Sequence, residues 1–411
     1  MTASSCFPVT QFQHPRLSVP LPILMSEPDT FAHYTLMQRW PAVVRRVIAE
    51  NDFLPDVVER LDQLITELPD GELRSLHDRN SPDAEAWDTY LQPYLEQSWL
   101  DVPWFFAEFY FYRRILEATQ YFQPSPTQAV DPFASQKRAG LNQAMTAVRA
   151  MSRVLADERF EGDRLQFFLY AALWGNQADL SLNPSADPST THEVEAQLKQ
   201  DNILVNHVSV VGDWLSRGVQ QIDIVADNAG LELISDLCLA ELLLQTGVET
   251  VVLHLKAHPT FVSDATIEDF YLTLAALEAD DDATVQALEQ RLKRAIANDR
   301  LQLRDAWCWT SPLVCWEMPT LLHHELHGTH LAIMKGDANY RRLLGDCHWA
   351  FMTRFEDIVC YFPTPLVALR TLKSEIVAGL PPDQVDWLNH HDSDWLVSGK
   401  WGLIQTAQMT N

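Results

Sequence analysis

Residues 222–256 read IDIVADNAGLELISDLCLAELLLQTGVETVVLHLK. Two short apolar runs, IDIVAD (Ile222 to Asp227) and VETVVLHL (Val248 to Leu255), flank a helical stretch, LELISDLCLAELLL, with Gly230 before it and Gly247 after it. Strand, helix and strand in that order predict a βαβ unit. The alternation continues downstream. LAIM (Leu331 to Met334) precedes NYRRLL, and LVALR (Leu366 to Arg370) precedes KSEIVAGL. The C-terminal half is therefore expected to be α/β, a mainly parallel sheet with helices on both faces.

Upstream the period changes. From Phe31 to about Ala178 apolar residues recur at three- and four-residue spacing, as in Trp40, Val43, Val44, Val47 and Ile48, and strand signals are lacking. The stretch Pro103 to Tyr121 places a proline at the first helical position ahead of Trp104, Phe105, Phe106, Phe109, Tyr110 and Phe111, an aromatic helix expected to be core. LNPSADPSTTH (Leu182 to His192) is a turn-forming cluster. It divides the chain into an extension (1–30), a helical domain (31–185) and an α/β domain (186–411).

The chain has 411 residues and a net charge of −26. Such a surface repels nucleic-acid backbones and anionic lipid, and no basic run offsets it, so neither partner is expected. An anionic substrate would need a local cation. Cys6, Cys238, Cys308, Cys315, Cys347 and Cys360 show neither a CxxC pair nor even spacing, which predicts reduced thiols. With no signal-peptide pattern and no apolar window of membrane length, a cytoplasmic location is expected. GxGxxG, GxxxxGK[ST], GxSxG and HExxH are all missing, which removes the common dinucleotide, P-loop, serine-hydrolase and zincin readings.

What remains are polar residues just past the expected strands, where open α/β sheets place their ligands. Asp227 and Asn228 follow IDIVA, with Glu232 in the next helical turn. They offer two hard oxygen ligands to a divalent cation, or else an Asx-turn in which Gly230 bends the chain and Asp227 caps the helix. Asp264, in PTFVSDAT, can complete an Asp/Asn/Asp oxygen set or serve as an N-cap before Ala265. Lys335, Asp337 and Arg341 occupy the turn after LAIM, and Arg370, Thr371 and Lys373 the turn after LVAL; Lys400 lies in SGKWGLIQ. These cations are candidates for a phosphate clamp, with Thr371 capping a helix or meeting phosphate oxygens. His323, His324, His327 and His330 lack zincin spacing, and His390-His391-Asp392 is expected to be a polar loop.

PWFFAEFYFYRRI (103–115), DPFASQK (131–137), LWGNQADLSL (173–182), DNAGLEL (227–233), FVSDAT (261–266), KGDANYRRL (335–343), RTLK (370–373) and GKWGLIQ (399–405) occur in this order. With them the chain resembles the metal-dependent damage-control phosphatase family, in the subfamily with an RTxK motif, over nearly its whole length. The resemblance implies a helical N-terminal domain packed on a three-layer α/β/α Rossmann-like domain with a mainly parallel sheet. It implies metal ligation by Asp227, Asn228 and Asp264, substrate contacts at Glu232, Arg370, Thr371, Lys373 and Lys400, and a KGD-NYR signature at Lys335, Asp337 and Arg341. The cofactor implied is Mn²⁺ or Mg²⁺ ahead of Co²⁺ or Ni²⁺. The activity implied is hydrolysis of small phosphomonoesters, sugar phosphates such as fructose 1-phosphate or fructose 6-phosphate. The alternatives are an S-adenosylmethionine-dependent carboxyl methyltransferase, as claimed for a relative, and a non-catalytic sugar-phosphate sensor. Against the methyltransferase, no Gly-rich loop follows a first strand.

Overall fold

A computed structural model describes residues 14–123, 130–157, 164–175 and 200–408. The expected boundary at 182–192, Cys6 and most of LWGNQADLSL lie outside these residues. A helical run begins at Phe31, passes through a π-helical turn (Thr35–Arg39) and continues as α1 (Trp40–Glu50). Then come α2 (Pro55–Glu67), α3 (Ala84–Leu91), α4 (Trp104–Ala118), α5 (Ala134–Ala156) and α6 (Arg164–Trp174). The α/β part follows as β1 (Ile203–Asn206), α7 (Val208–Ser216), β2 (Gln221–Val225), α8 (Leu231–Gln245), β3 (Thr250–Lys256), α9 (Ile267–Ala279), α10 (Ala283–Ala297), β4 (Leu301–Ala306), α11 (Thr320–His327), β5 (Leu331–Lys335), α12 (Gly336–Leu344), β6 (Leu366–Thr371), α13 (Pro382–His391) and β7 (Gly402–Ala407).

The seven strands form one sheet in the order β1-β7-β6-β5-β2-β3-β4, parallel except where β7 runs antiparallel to β6. The mainly parallel α/β fold is as expected. Strands β2, β3, β5 and β6 are continuous apolar runs because both faces are covered. Helices α1 to α4 share a core with one face, through Val225, Met334 and Ala368. Helices α5, α6, α8, α9 and α10 cover the other, around Ile224, Leu253 and Ile333.

The sequence pattern misses β1, β4 and β7. β1 and β4 are edge strands with partly exposed residues, and the pattern rule reads buried runs. Pro103 is not the first helical residue of α4. It stays extended (ψ 138°) while Trp104 donates its N–H to the Ile23 carbonyl at 2.8 Å, so the proline caps the helix from outside. All fifteen residues of α4 are buried, in keeping with its reading as core. His390 and His391 belong to the last turn of α13 and not to a loop, their Nδ1 atoms facing carbonyls four residues back. Among the described residues no helix is long and apolar enough to cross a membrane, and Cys238, Cys308, Cys315, Cys347 and Cys360 are free thiols.

Candidate active site

The carboxyl ends of β2 and β3 are laced together before any side chain enters the account. Ala265 N–H donates to the Asp227 carbonyl at 2.8 Å and Ala229 N–H to the Ser263 carbonyl at 2.7 Å, an antiparallel bridge that sets Asn228 opposite Asp264. Asp227, Asn228 and Asp264 are thereby brought together from two loops, each less than a tenth exposed. The Asn228 amide donates to Asp227 Oδ2 at 2.7 Å and to Glu232 Oε2 at 2.9 Å, and its Oδ1 accepts from the Ser263 hydroxyl.

Neither capping alternative holds. The residue preceding α8 is Gly230, at φ 72°, and no side chain caps that end; the cap of α9 is Thr266, which forms a capping box with Asp269. Neither aspartate is spent on a helix cap.

Buried cations face part of this charge. Lys256, the last residue of β3, pairs with Asp264. Lys335, fully buried at the end of β5, lies 2.8 Å from both Glu232 Oε1 and Asp236 Oδ1. Burial, with the like charges of Asp264 and Glu232 added, pushes the Asp227 carboxyl well above the usual carboxylate range. Burial likewise raises Asp264 and pushes Asp236 up to about 7. At the next residue a Cβ on Gly336, which holds φ 82°, would lie 2.0 Å from Asp227 Oδ2, so only glycine lets the backbone come this close.

The two remaining strand-end groups divide by role. Against the opposing effect of burial, Arg370 and Arg341 hold Asp337 below the usual range. Arg370, buried against the Tyr340 ring at 4.3 Å, donates to Asp337 Oδ1 at 2.8 Å and to Ser374 Oγ. The Lys373 N–H also donates to Asp337 Oδ1, at 3.1 Å. Arg370 and Lys335 are thus engaged by carboxylates inside the protein and do not line the cavity, while Thr371 is buried as the last residue of β6. Lys373 does line it, and among the described residues its ammonium has no ion-pair partner. Arg341 lines it too, stacked 3.6 Å from the Trp104 ring and paired with Glu108 and Asp346. Lys400 is elsewhere, half exposed and 3.0 Å from Asp392.

The cavity has a volume of about 460 Å³ and is lined by Asp227, Asn228, Asp264, Asp337 and Lys373 from the α/β part and by Phe31, Arg39, Val43, Trp104 and Glu108 from the helical region. Phe261 and Val262 complete it from the loop that carries Asp264. Both are left-handed, at φ 48° and 70°, an uncommon state for any residue but glycine and a strained one for a β-branched one. Phe261 is wedged between Phe109 and Tyr112 of α4, ring centroids 4.8 and 5.1 Å away, so the aromatic helix holds the loop in this shape.

Sequence reasoning missed several of these residues. Lys256 closing an apolar strand, Gly336 within KGD and Glu108 inside an aromatic run were visible signals; Arg39 carried none, because a surface arginine on an amphipathic helix reads the same way. The histidines at 323 and 327 stack on α11, away from the cavity lining.

Strand ends that turn into helices around a buried cavity of mixed charge put this chain among the doubly wound α/β proteins whose ligands bind at the carboxyl edge of the sheet. Comparison with known proteins narrows the class. The model of the damage-control phosphatase ARMT1-like domain matches residues 35–388, and the chain belongs to that family. It is 31% identical to damage-control phosphatase ARMT1 of Xenopus tropicalis, over 92% of this chain and 96% of that one. The protein of the same name from Homo sapiens is 30% identical, covering 94% and 98% of the two chains. A DUF89 family protein from Pyrococcus horikoshii aligns over 92% of this chain and 98% of its own at 14% identity and a TM-score of 0.46, a likeness too distant to carry a functional reading.

Proposed function

We propose that this member of a phosphatase family hydrolyses small phosphomonoesters, sugar phosphates such as fructose 1-phosphate or fructose 6-phosphate, with a divalent cation at Asp227, Asn228 and Asp264. The observation that carries the reading is the charge at the strand ends. Three buried carboxylates, Asp227, Asp264 and Glu232, crowd around one amide, and burial, with like charge added, raises Asp227 and Asp264 although Lys256 lies beside them. Among the described residues no three His, Cys, Asp or Glu side chains form a metal cage by themselves; in this reading the Asn228 oxygen joins Asp227 and Asp264. All-oxygen donors fit Mn²⁺ or Mg²⁺, with Co²⁺ or Ni²⁺ as weaker fits. When bound, the cation supplies Lewis acidity toward a phosphoryl oxygen and orients water.

The chain's own groups supply the rest. Lys373 offers an uncommitted ammonium to the phosphoryl oxygens, the electrostatic work that phosphoryl transfer chiefly needs. Asp337, kept ionised by Arg370, fixes the Lys373 main chain. Glu232 and Ser263 hold the Asn228 amide from opposite ends. The Phe261–Val262 loop fixes Asp264 and walls the cavity.

Phosphate release from a panel of sugar phosphates and nucleotides, by metal-stripped protein with each cation restored, tests the reading. Metal-dependent release that is lost in Asp227→Ala is expected. Release that survives the substitution would sink the assignment, and silence across the panel with the cation bound would favour the sensor.

A further inference from the structure

We propose that Arg39 and Glu108 form a subsite that reads paired hydroxyl groups on the body of the substrate, and so select polyhydroxy phosphate esters over esters without hydroxyls. The inference rests on the phosphatase reading for its substrate and on separate residues for its argument. Both side chains come from the helical elements that line the cavity, which Asp227 and Lys373 also line. Glu108 is 1% exposed. Its Oε2 accepts from Arg341, but its Oε1 has no hydrogen bond among the described residues. Arg39 Nη1 lies 3.6 Å from that oxygen, beyond hydrogen-bond reach. The Arg39 guanidinium, a fork of five donors, in turn makes no hydrogen bond among the described residues. It ends the π-helical turn Thr35–Arg39, and such wide turns recur where a helix is distorted at a functional position.

A buried acceptor and a donor fork thus face one cavity with a gap between them. Neighbouring hydroxyls close such a gap: one donates its proton to Oε1 while an adjacent oxygen accepts from the guanidinium. The charge balance excludes a second anionic group as the occupant. Arg39 and Arg341 are matched by Glu108 and Asp346, and Arg46, which also lines the cavity, by Glu50, so the charges of this wall balance in pairs and leave no net positive charge. Phe31, Val43 and Trp104 beside it offer apolar surface to a carbon skeleton. A buried carboxylate left without its partner is costly, which makes the discrimination a large one.

The test compares fructose 6-phosphate with p-nitrophenyl phosphate, which has no hydroxyl, using the full metal-loaded chain and its Arg39→Met and Glu108→Gln variants. The ratio of kcat/KM for the two substrates is expected to fall about 10- to 100-fold in each variant, the loss of one charged hydrogen bond. A ratio within twofold of wild type in Arg39→Met overturns the subsite. Arg39 is 41% exposed and its side chain makes no hydrogen bond among the described residues, so Arg39→Met is expected to fold and decides the matter if Glu108→Gln misfolds. If the wild type hydrolyses neither ester, the phosphatase reading fails by itself. Calorimetric affinity for fructose 6-phosphate then decides the subsite, and unchanged binding in Arg39→Met overturns it.

Discussion

Two buried clusters of charge, one in the helical region and one at the strand ends, obey different rules. In the first, Arg113 of α4 donates through Nε to Asp83 at 2.8 Å and through Nη2 to Asp78 at 2.7 Å and Ser81 at 2.8 Å. One cation sits between two carboxylates. Burial lifts Asp78 somewhat, but against that same burial Arg113 pulls Asp83 below its ordinary value. In the second, burial raises Asp227 and Asp264 both, although Lys256 lies close by. The helical cluster holds loop residues 78–83 to α4 and has no opening to the cavity. The strand-end cluster keeps carboxyl groups whose burial the neighbouring lysine does not compensate, the kind of perturbed group that marks a candidate ligand site.

The comparison breaks most visibly at Asp227. Asp227→Asn is expected to cut metal-dependent phosphate release by more than about 10³-fold, about 4 kcal/mol or more in the barrier. The same substitution should raise the melting temperature of the metal-free protein at neutral pH. The sign follows from linkage: a carboxyl raised on folding costs stability above its unfolded value and recovers it as pH falls through the raised one. The gain should therefore shrink on acidification, and a lower melting temperature at pH 7 would contradict the account of the strand ends.

Arg113→Met should act in the opposite sense. Removing one partner of a buried ion cluster costs about 3–5 kcal/mol, to be read as an earlier midpoint in urea. Phosphate release per folded molecule should be retained. Asp83, lowered on folding, contributes stability that is present above its unfolded pKa and lost as pH falls through its folded value, so the difference between wild type and variant should narrow in acid. A loss of turnover without loss of stability would erase the distinction between the two clusters.

Gly336→Ala sharpens it further. A methyl 2.0 Å from Asp227 Oδ2 at φ 82° should destabilise by about 1–3 kcal/mol and displace the carboxylate. Weaker metal binding by calorimetry would accompany the lower melting temperature. The smallest effect is expected at Val262→Gly. Relief of left-handed strain, about 1–2 kcal/mol, is offset by about 0.5–1 kcal/mol of backbone entropy, leaving a melting temperature at or slightly above wild type. Phe261→Ala, which removes the wedge against Phe109 and Tyr112, should lower it; equal effects of the two substitutions would show that α4 does not hold the loop.

Much of this molecule could be read without coordinates. Hydrophobic period separates the helical region from the α/β part because strands buried on both faces become unbroken apolar runs, as in β2, β3, β5 and β6. Asp227, Asn228, Asp264, Lys335 and Lys373 were legible for a related reason: a parallel sheet puts functional groups in the few residues after each strand, so their place along the chain already marks their place in space. Edge strands β1 and β4 escaped because a half-exposed strand has no such signature.

The partners of those groups were beyond the reach of spacing. That Arg370 turns inward to Asp337 while Lys373 faces the cavity, that Lys400 lies at Asp392, and that Arg39 and Glu108 supply the helical wall all depend on packing between residues far apart in the chain. The amino-acid sequence by itself determined which residue types stand at the strand ends, since local periodicity sets the strands. Only the tertiary structure decided which of those charges are neutralised and which remain exposed to a ligand, because electrostatic pairing and burial depend on distance in space and not on distance along the chain.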